Sequence, residues 1–168
     1  MKRIILSLIV LLSVVSANAQ STDFEKMAKI KGVDYEHVNK EKIMLAAKQG
    51  EGLHVGEVVN LGSDAEGAEF LNQFDDVKVF KCVDKDSIKK FLKTAQKLLQ
   101  GKEWETLIDT KGDDGEILKI YLSKKGERST NVVLAVEDEE ANLVVINGTF
   151  DFAKMLQGGM KFNADVNY

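Results

Sequence analysis

Between residues 84 and 100, apolar side chains recur every three or four positions: Ile88, Phe91, Leu92, Ala95, Leu98 and Leu99. Lys89, Lys90, Lys93 and Lys97 fill the intervening positions. This spacing predicts an amphipathic helix with one buried and one solvated side. Asp84 or Asp86 is its expected N-cap, and Gly101 its expected stop. From Trp104 onward the period changes to two. Segments 104–110, 116–123, 130–137 and 142–149 are rich in β-branched and aromatic residues. Three polar connectors separate them: Lys111-Gly112-Asp113-Asp114-Gly115, Lys124-Lys125-Gly126-Glu127-Arg128 and Asp138-Glu139-Glu140-Ala141. Short connectors join antiparallel neighbours, so these segments predict a four-strand meander.

The first half of the chain is more mixed. Thr22 and Glu25 have capping-box spacing, and Phe24, Met27 and Ala28 then share a helical side before Gly32. Residues 33–38 read as extended. Asn39 is placed to cap a second helix with Ile43, Met44, Ala46 and Ala47 on its apolar side. Four glycines break the pattern between Gly50 and Gly62. Ser63 and Glu66 form a second capping box, opening a short helix that buries Phe70, Leu71 and Phe74, and a strand follows around 77–83. A last short helix runs from Asp151 to Leu156, before a tail from Gly158 to Tyr168. Helices early and hairpins late predict an α+β domain over residues 20–168, with a mainly antiparallel sheet and helices packed on one face.

The start of the chain has a different character. Met1-Lys2-Arg3 precedes an apolar run from Ile4 to Val15, then Ser16-Ala17-Asn18-Ala19 and Gln20. The run is shorter than the roughly 20 residues that a permanent membrane helix needs. Ala17 and Ala19 form the A-x-A pattern of a signal-peptide exit, with cleavage expected between Ala19 and Gln20. Residues 1–19 are therefore read as a leader that directs export. No Cys follows to carry a lipid anchor, so the expected product is a soluble periplasmic domain with no transmembrane segment.

Cleavage would remove Lys2 and Arg3, lowering the basic count from 23 to 21 against 27 acids and moving the net charge from −4 to −6. That balance disfavours nucleic acid as a partner, because phosphate binding needs concentrated cationic surface. Arg128 would be the one arginine left, which counts against a guanidinium clamp for an anionic ligand. Cys82 is the single cysteine, so no internal disulfide can form. Within a predicted strand it reads as a small buried hydrophobe.

Candidate chemistry is sparse. The two histidines, His37 and His54, fall in a predicted strand and a Gly-rich loop. No G-x-S-x-G elbow surrounds a serine, and paired Cys or H-x-x-x-H zinc ligands are absent from the sequence. The acidic runs Asp113-Asp114-x-Glu116 and Glu137-Asp138-Glu139-Glu140 lack EF-hand spacing and fit solvated turns. Gly158-Gly159 lacks the strand before it and the Lys-Ser/Thr after it that a phosphate loop requires. No catalytic residue, cofactor or metal ligand is therefore assigned.

Several segments resemble a known family. The leader, the Phe24-Glu25-Lys26-Met27 opening and the Asp75-Asp76-Val77-Lys78-Val79 strand entry are similar to the DUF4252 family. Trp104-Glu105-Thr106-Leu107 and the closing Leu143-Val144-Val145-Ile146-Asn147-Gly148 strand are similar to it as well. The resemblance implies a small exported α+β protein of a family found mostly in Bacteroidetes, whose function is unassigned. Many relatives look like lipoproteins, and this chain departs from them at the missing lipid-bearing Cys.

The leading functional expectation is a non-enzymatic envelope protein that binds a polypeptide through an exposed sheet face or an edge strand. One alternative is a carrier of a small apolar ligand, held among Phe80, Phe91, Trp104 and Tyr121. Another is an acid-dependent hydrolase of envelope polymers.

Overall fold

The computed structural model describes residues 23–49, 53–55, 59–61, 70–112, 115–137 and 139–153. The leader, with Ala17, Ala19 and Gln20, lies outside the described residues, as do Thr22, the 63–69 segment and residues 154–168. In chain order the elements are a 3₁₀ turn (Met27–Lys29), β1 (Val33–Asn39), α1 (Lys40–Gln49), β2 (Leu53–Val55), β3 (Val59–Leu61), β4 (Phe74–Cys82), α2 (Lys85–Leu98), β5 (Glu105–Lys111), β6 (Ile117–Lys125), β7 (Arg128–Glu137) and β8 (Glu140–Gly148). The chain is α+β. Its main sheet has six strands in the order β1-β4-β8-β7-β6-β5, every pair antiparallel.

The meander stands as β5–β8, with tight connections. Lys125 pairs with Arg128 across a two-residue turn, where Gly126 takes φ +64°. In a two-residue hairpin loop that backbone conformation matches the twist of the strands. The glycine-broken stretch contains a small sheet of its own, with Leu53–Val55 antiparallel to Val59–Leu61. His54 therefore lies in a short strand rather than in a loop.

The helix caps follow the side chains. Asn39 Oδ1 accepts the Lys42 N–H at 3.1 Å, opening α1 directly from the end of β1. Asp84, and not Asp86, caps α2: its carboxylate accepts the Asp86 N–H at 3.2 Å and the Ser87 hydroxyl at 3.0 Å. At the N-terminus, Asp23 and Phe24 are helical, as expected after Thr22, and a turn at Glu25 and Lys26 then leads into three 3₁₀ residues, Met27–Lys29. Phe24, Met27 and Ile30 then stack at three-residue intervals into the core, and Gly32, at φ +75°, redirects the chain into β1.

Successive strand residues point to opposite faces, so Phe80 and Cys82 share one side of β4 while Val77 and Val79 share the other. On the Phe80 side, Phe91, Ala95 and Leu99 of α2 and Phe24, Met27 and Ile30 pack against Tyr121, Val132, Leu134, Leu143 and Val145. The long helix thus packs on one face of the sheet, as its periodicity requires. Ile43 of α1, with Leu71, Phe74, Phe150 and Phe152, joins Val77, Val79, Val144 and Ile146 in a second cluster. Phe74 belongs to β4, paired with Gly148, rather than ending a helix. The sheet register skips Asp75 between Phe74 and Asp76, and that bulge explains how Phe74 joins Val77 and Val79.

Polar contacts fix the parts of this layout that hydrophobic burial leaves free. Asn131 is fully buried; its Nδ2 donates to Ser129 Oγ (3.0 Å) and to the Phe150 carbonyl (3.1 Å), and its Oδ1 accepts the Phe152 N–H (3.2 Å). It straps the segment after β8 back across β7. Asp75 accepts from Lys40 Nζ at 3.0 Å and from the Arg128 guanidinium, joining α1, β4 and the β6–β7 turn. Burial pulls the Asp75 carboxyl upward, but the hydrogen bonds and charges of Lys40 and Arg128 outweigh it and hold the pKa below its ordinary 3.8. A carboxyl depressed on folding stabilises fully above its unfolded pKa and loses that contribution as pH falls through the folded value. Asp75→Asn should therefore cost about 1 kcal/mol at neutral pH. It should also flatten the acid limb of the stability profile below about pH 4, which urea titrations at stepped pH would show.

Candidate functional site

Two strands form the borders of the main sheet, β1 and β5, and they differ. β5 has a register irregularity between Thr106 and Ile108, and Glu105, Asp109 and Lys111 are exposed along it. A bulge and charges of both signs blunt an edge against further pairing. β1 runs in unbroken register with β4 over seven residue pairs, from Val33↔Cys82 to Asn39↔Asp76. Among the described residues no strand pairs with its outer side. In an antiparallel ladder about half of such a strand's N–H and C=O groups point away from its neighbour.

Five residues of β1 are exposed: Asp34, Tyr35, Glu36, His37 and Asn39. Val38 is buried and pins one end, while Tyr35 is held by its ring, which stacks on Phe80 with centroids 4.9 Å apart and planes at 21°. Tyr35 remains 40% exposed. Burial pushes its hydroxyl pKa up, and the negative charges of Glu25 and Asp76 push the same way, so the phenol stays neutral and able to donate a hydrogen bond at neutral pH. Alternation places Asp34 and Glu36 on one face of the strand and Tyr35 and His37 on the other. The strand thus presents a carboxylate side, an aromatic and imidazole side, and a row of backbone groups between them.

The residues considered for chemistry are dispersed. His37 is exposed on β1 and His54 sits on β2. Cys82 is fully buried in the core, its thiol pKa pushed up by burial, and its Sγ lies 3.8 Å from the Asp84 carbonyl. Such a thiol is poorly ionised and shielded, which makes it a packing residue. Phe80, Phe91, Tyr121 and Trp104 do come together, within the cluster beneath α2, where Trp104 meets Phe24 edge-on at 6.0 Å.

Asp113, Asp114 and Asp138 lie outside the described residues. Among the described residues, no group of three or more His, Cys, Asp or Glu side chains converges as metal ligands. Glu137, Glu139 and Glu140 border a shallow concavity of about 460 Å³ with Val83 and Asn142. There Lys81 pairs with Glu140 at 3.1 Å, Lys85 pairs with Glu139, and Asn142 Nδ2 donates to Glu140 at 2.7 Å. Two of its carboxylates are therefore engaged in joining the β7–β8 turn to β4 and α2. No helix among the described residues is long and apolar enough to cross a membrane.

The extended character of residues 33–38 is readable from their composition, but their position at the border of the sheet is not. That position depends on β4 pairing with β8 far along the chain, for which a single sequence carries no local signal. No curated protein matches the chain. The family described as "Domain of unknown function (DUF4252)" matches residues 24–157, the span from the first buried aromatic to just beyond the strap on β7. With most of its length matched, the chain belongs to the DUF4252 family.

Proposed function

We propose that this chain is a non-enzymatic binding protein of the cell envelope, exported by residues 1–19, which captures an extended polypeptide segment on the outer side of β1. The supporting observation is the contrast in register between the two seven-residue borders: β5 is irregular between Thr106 and Ile108, whereas β1 pairs with β4 without a break. Strand addition draws affinity from backbone hydrogen bonds and specificity from alternating side chains. Seven residues span about 23 Å, enough for a peptide of similar length.

The side chains define the partner. Asp34 and Glu36 favour Lys or Arg on one face of the incoming strand, and Tyr35 favours an apolar or aromatic residue on the other. They also oppose self-pairing, because a two-fold pairing of β1 centred on Glu36 would set two carboxylates against each other. The fitting partner is an extended segment with alternating basic and apolar residues.

The test uses a fluorescent nine-residue peptide that alternates lysine and valine, followed by polarisation. Asp34→Lys with Glu36→Lys should weaken its binding about tenfold. A peptide of equal charge with proline at its centre should bind as weakly, since proline removes a ladder donor and resists strand pairing. Equal binding of the proline peptide, or full binding by the double variant, would refute strand capture on β1.

A further inference from the structure

The solvated side of α2 carries a charge pattern that the β1 site does not use. Lys85, Lys89, Lys93 and Lys97 follow one another at four-residue intervals, and Lys90 lies beside them. At 100° per residue these five fall within an arc of about 140°, opposite Phe91, Ala95 and Leu98. All five are exposed. Asp86, in the first turn, is the one acid within that arc, so five cations face one carboxylate on a chain whose net charge is −4.

Some lysines of the fold are paired with acids, and others, Lys42, Lys48 and Lys111 among them, are not within ion-pair distance of a described carboxylate. Lys26, Lys40, Lys78, Lys81, Lys119 and Lys124 each lie within ion-pair distance of an Asp or Glu. On α2, Lys85 pairs with Glu139 at the first turn. Beyond it, Lys89, Lys90, Lys93 and Lys97 have no carboxylate among the described residues within ion-pair distance. Moving along α2 at 1.5 Å per residue carries the row away from the acidic β7–β8 turn. Like charges at i, i+4 spacing destabilise a helix slightly, and here the buried face of α2 offsets that cost.

We propose that this lysine face docks the domain on an anionic phospholipid bilayer. Charge complementarity favours this partner. Lysine ammonium groups are point charges on flexible stems and lack the rigid fork that selects one carboxylate or phosphate geometry. A row of them suits a plane of diffuse headgroup charge, where each cation near the surface contributes additively and the attraction fades within a Debye length. Binding is peripheral: α2 stays folded on the sheet, because its apolar side is occupied by the core.

Sedimentation with vesicles tests this, using the protein as recovered after export and the same N-terminus in every variant. Vesicles with about 30% phosphatidylglycerol at about 50 mM salt should bind at least about tenfold more protein than pure phosphatidylcholine vesicles, and about 500 mM salt should abolish the difference. Lys89→Glu with Lys93→Glu and Lys97→Glu should reduce binding to the phosphatidylcholine level. Lys42→Glu with Lys48→Glu and Lys111→Glu, an equal charge change elsewhere, should retain most of it. Unchanged thermal melting of both triple variants will exclude misfolding as the cause. Three results would overturn the proposal: no preference for anionic vesicles at low salt, equal loss in both variants, or binding of soluble polyglutamate but not of the vesicles.

Discussion

Gly148→Ala should destabilise the protein by about 3 kcal/mol and lower its melting temperature by roughly 6–12 °C. Gly148 is buried at the end of β8, where it pairs with both Phe74 and Ser129. A Cβ there would drive into the Gln73 carbonyl oxygen and come within 3.0 Å of Phe74 Cα. Both obstacles are backbone, so neither can turn aside as a side chain could. The same carbonyl accepts the Thr149 N–H at 2.9 Å, so displacing it would break a contact that closes the sheet next to the Asp75 bulge. Gly112→Ala is the control: its new Cβ would meet only the Glu116 side chain, at 3.2 Å, and should cost less than about 1 kcal/mol. Equal melting temperatures for the two variants would show that β4 and β8 do not approach so closely.

The second large effect belongs to Phe91. It is completely buried at the centre of the α2 face, among side chains from the N-terminal turn and the sheet. Truncation removes a ring from water-free contact and leaves a space that rigid strands cannot fill. Phe91→Ala should therefore cost about 3–5 kcal/mol. That is a large fraction of the 5–15 kcal/mol that holds a typical domain together. Urea unfolding should show a lower midpoint with little change in slope. Lys93→Ala, on the opposite side of the same helix, should stay within about 0.5 kcal/mol of the parent. Comparable losses in the two variants would mean that α2 is not seated on the sheet by its apolar stripe.

These effects also mark where sequence reading succeeds and where it stops. The α2 stripe is local and strongly periodic, and Phe91, Ala95 and Leu99 turn inward as their spacing requires. The meander is equally local, since its turns are a few residues long and strand alternation does the rest. Asn39 could be assigned as a cap because an N-cap acts within three residues of itself.

Non-local features escaped. Pairing of Cys82 with Ala141 joins residues far apart in sequence, and that pairing, with β1 against β4, makes β1 a border strand. Nothing in Val33–Asn39 alone distinguishes a border strand from a central one. By sequence Phe74 continues the helical spacing of its apolar neighbours Phe70 and Leu71, but pairing with Gly148 claims it for β4. Asn131 reads as a polar interruption in a strand, yet its amide is satisfied by a segment nineteen and more residues ahead. Lys40, Asp75 and Arg128 meet only once the fold is complete.

The central claim is that β1 accepts an added strand, and hydrogen–deuterium exchange resolved to single amides tests it most directly. The protein is measured alone and with the alternating lysine–valine peptide. Capture on β1 predicts that the outward amides between Val33 and Asn39 exchange quickly in the free protein and slow markedly on binding, while β5 amides are unchanged. Slowing confined to residues 105–111, or peptide binding with no change at 33–39, would contradict it.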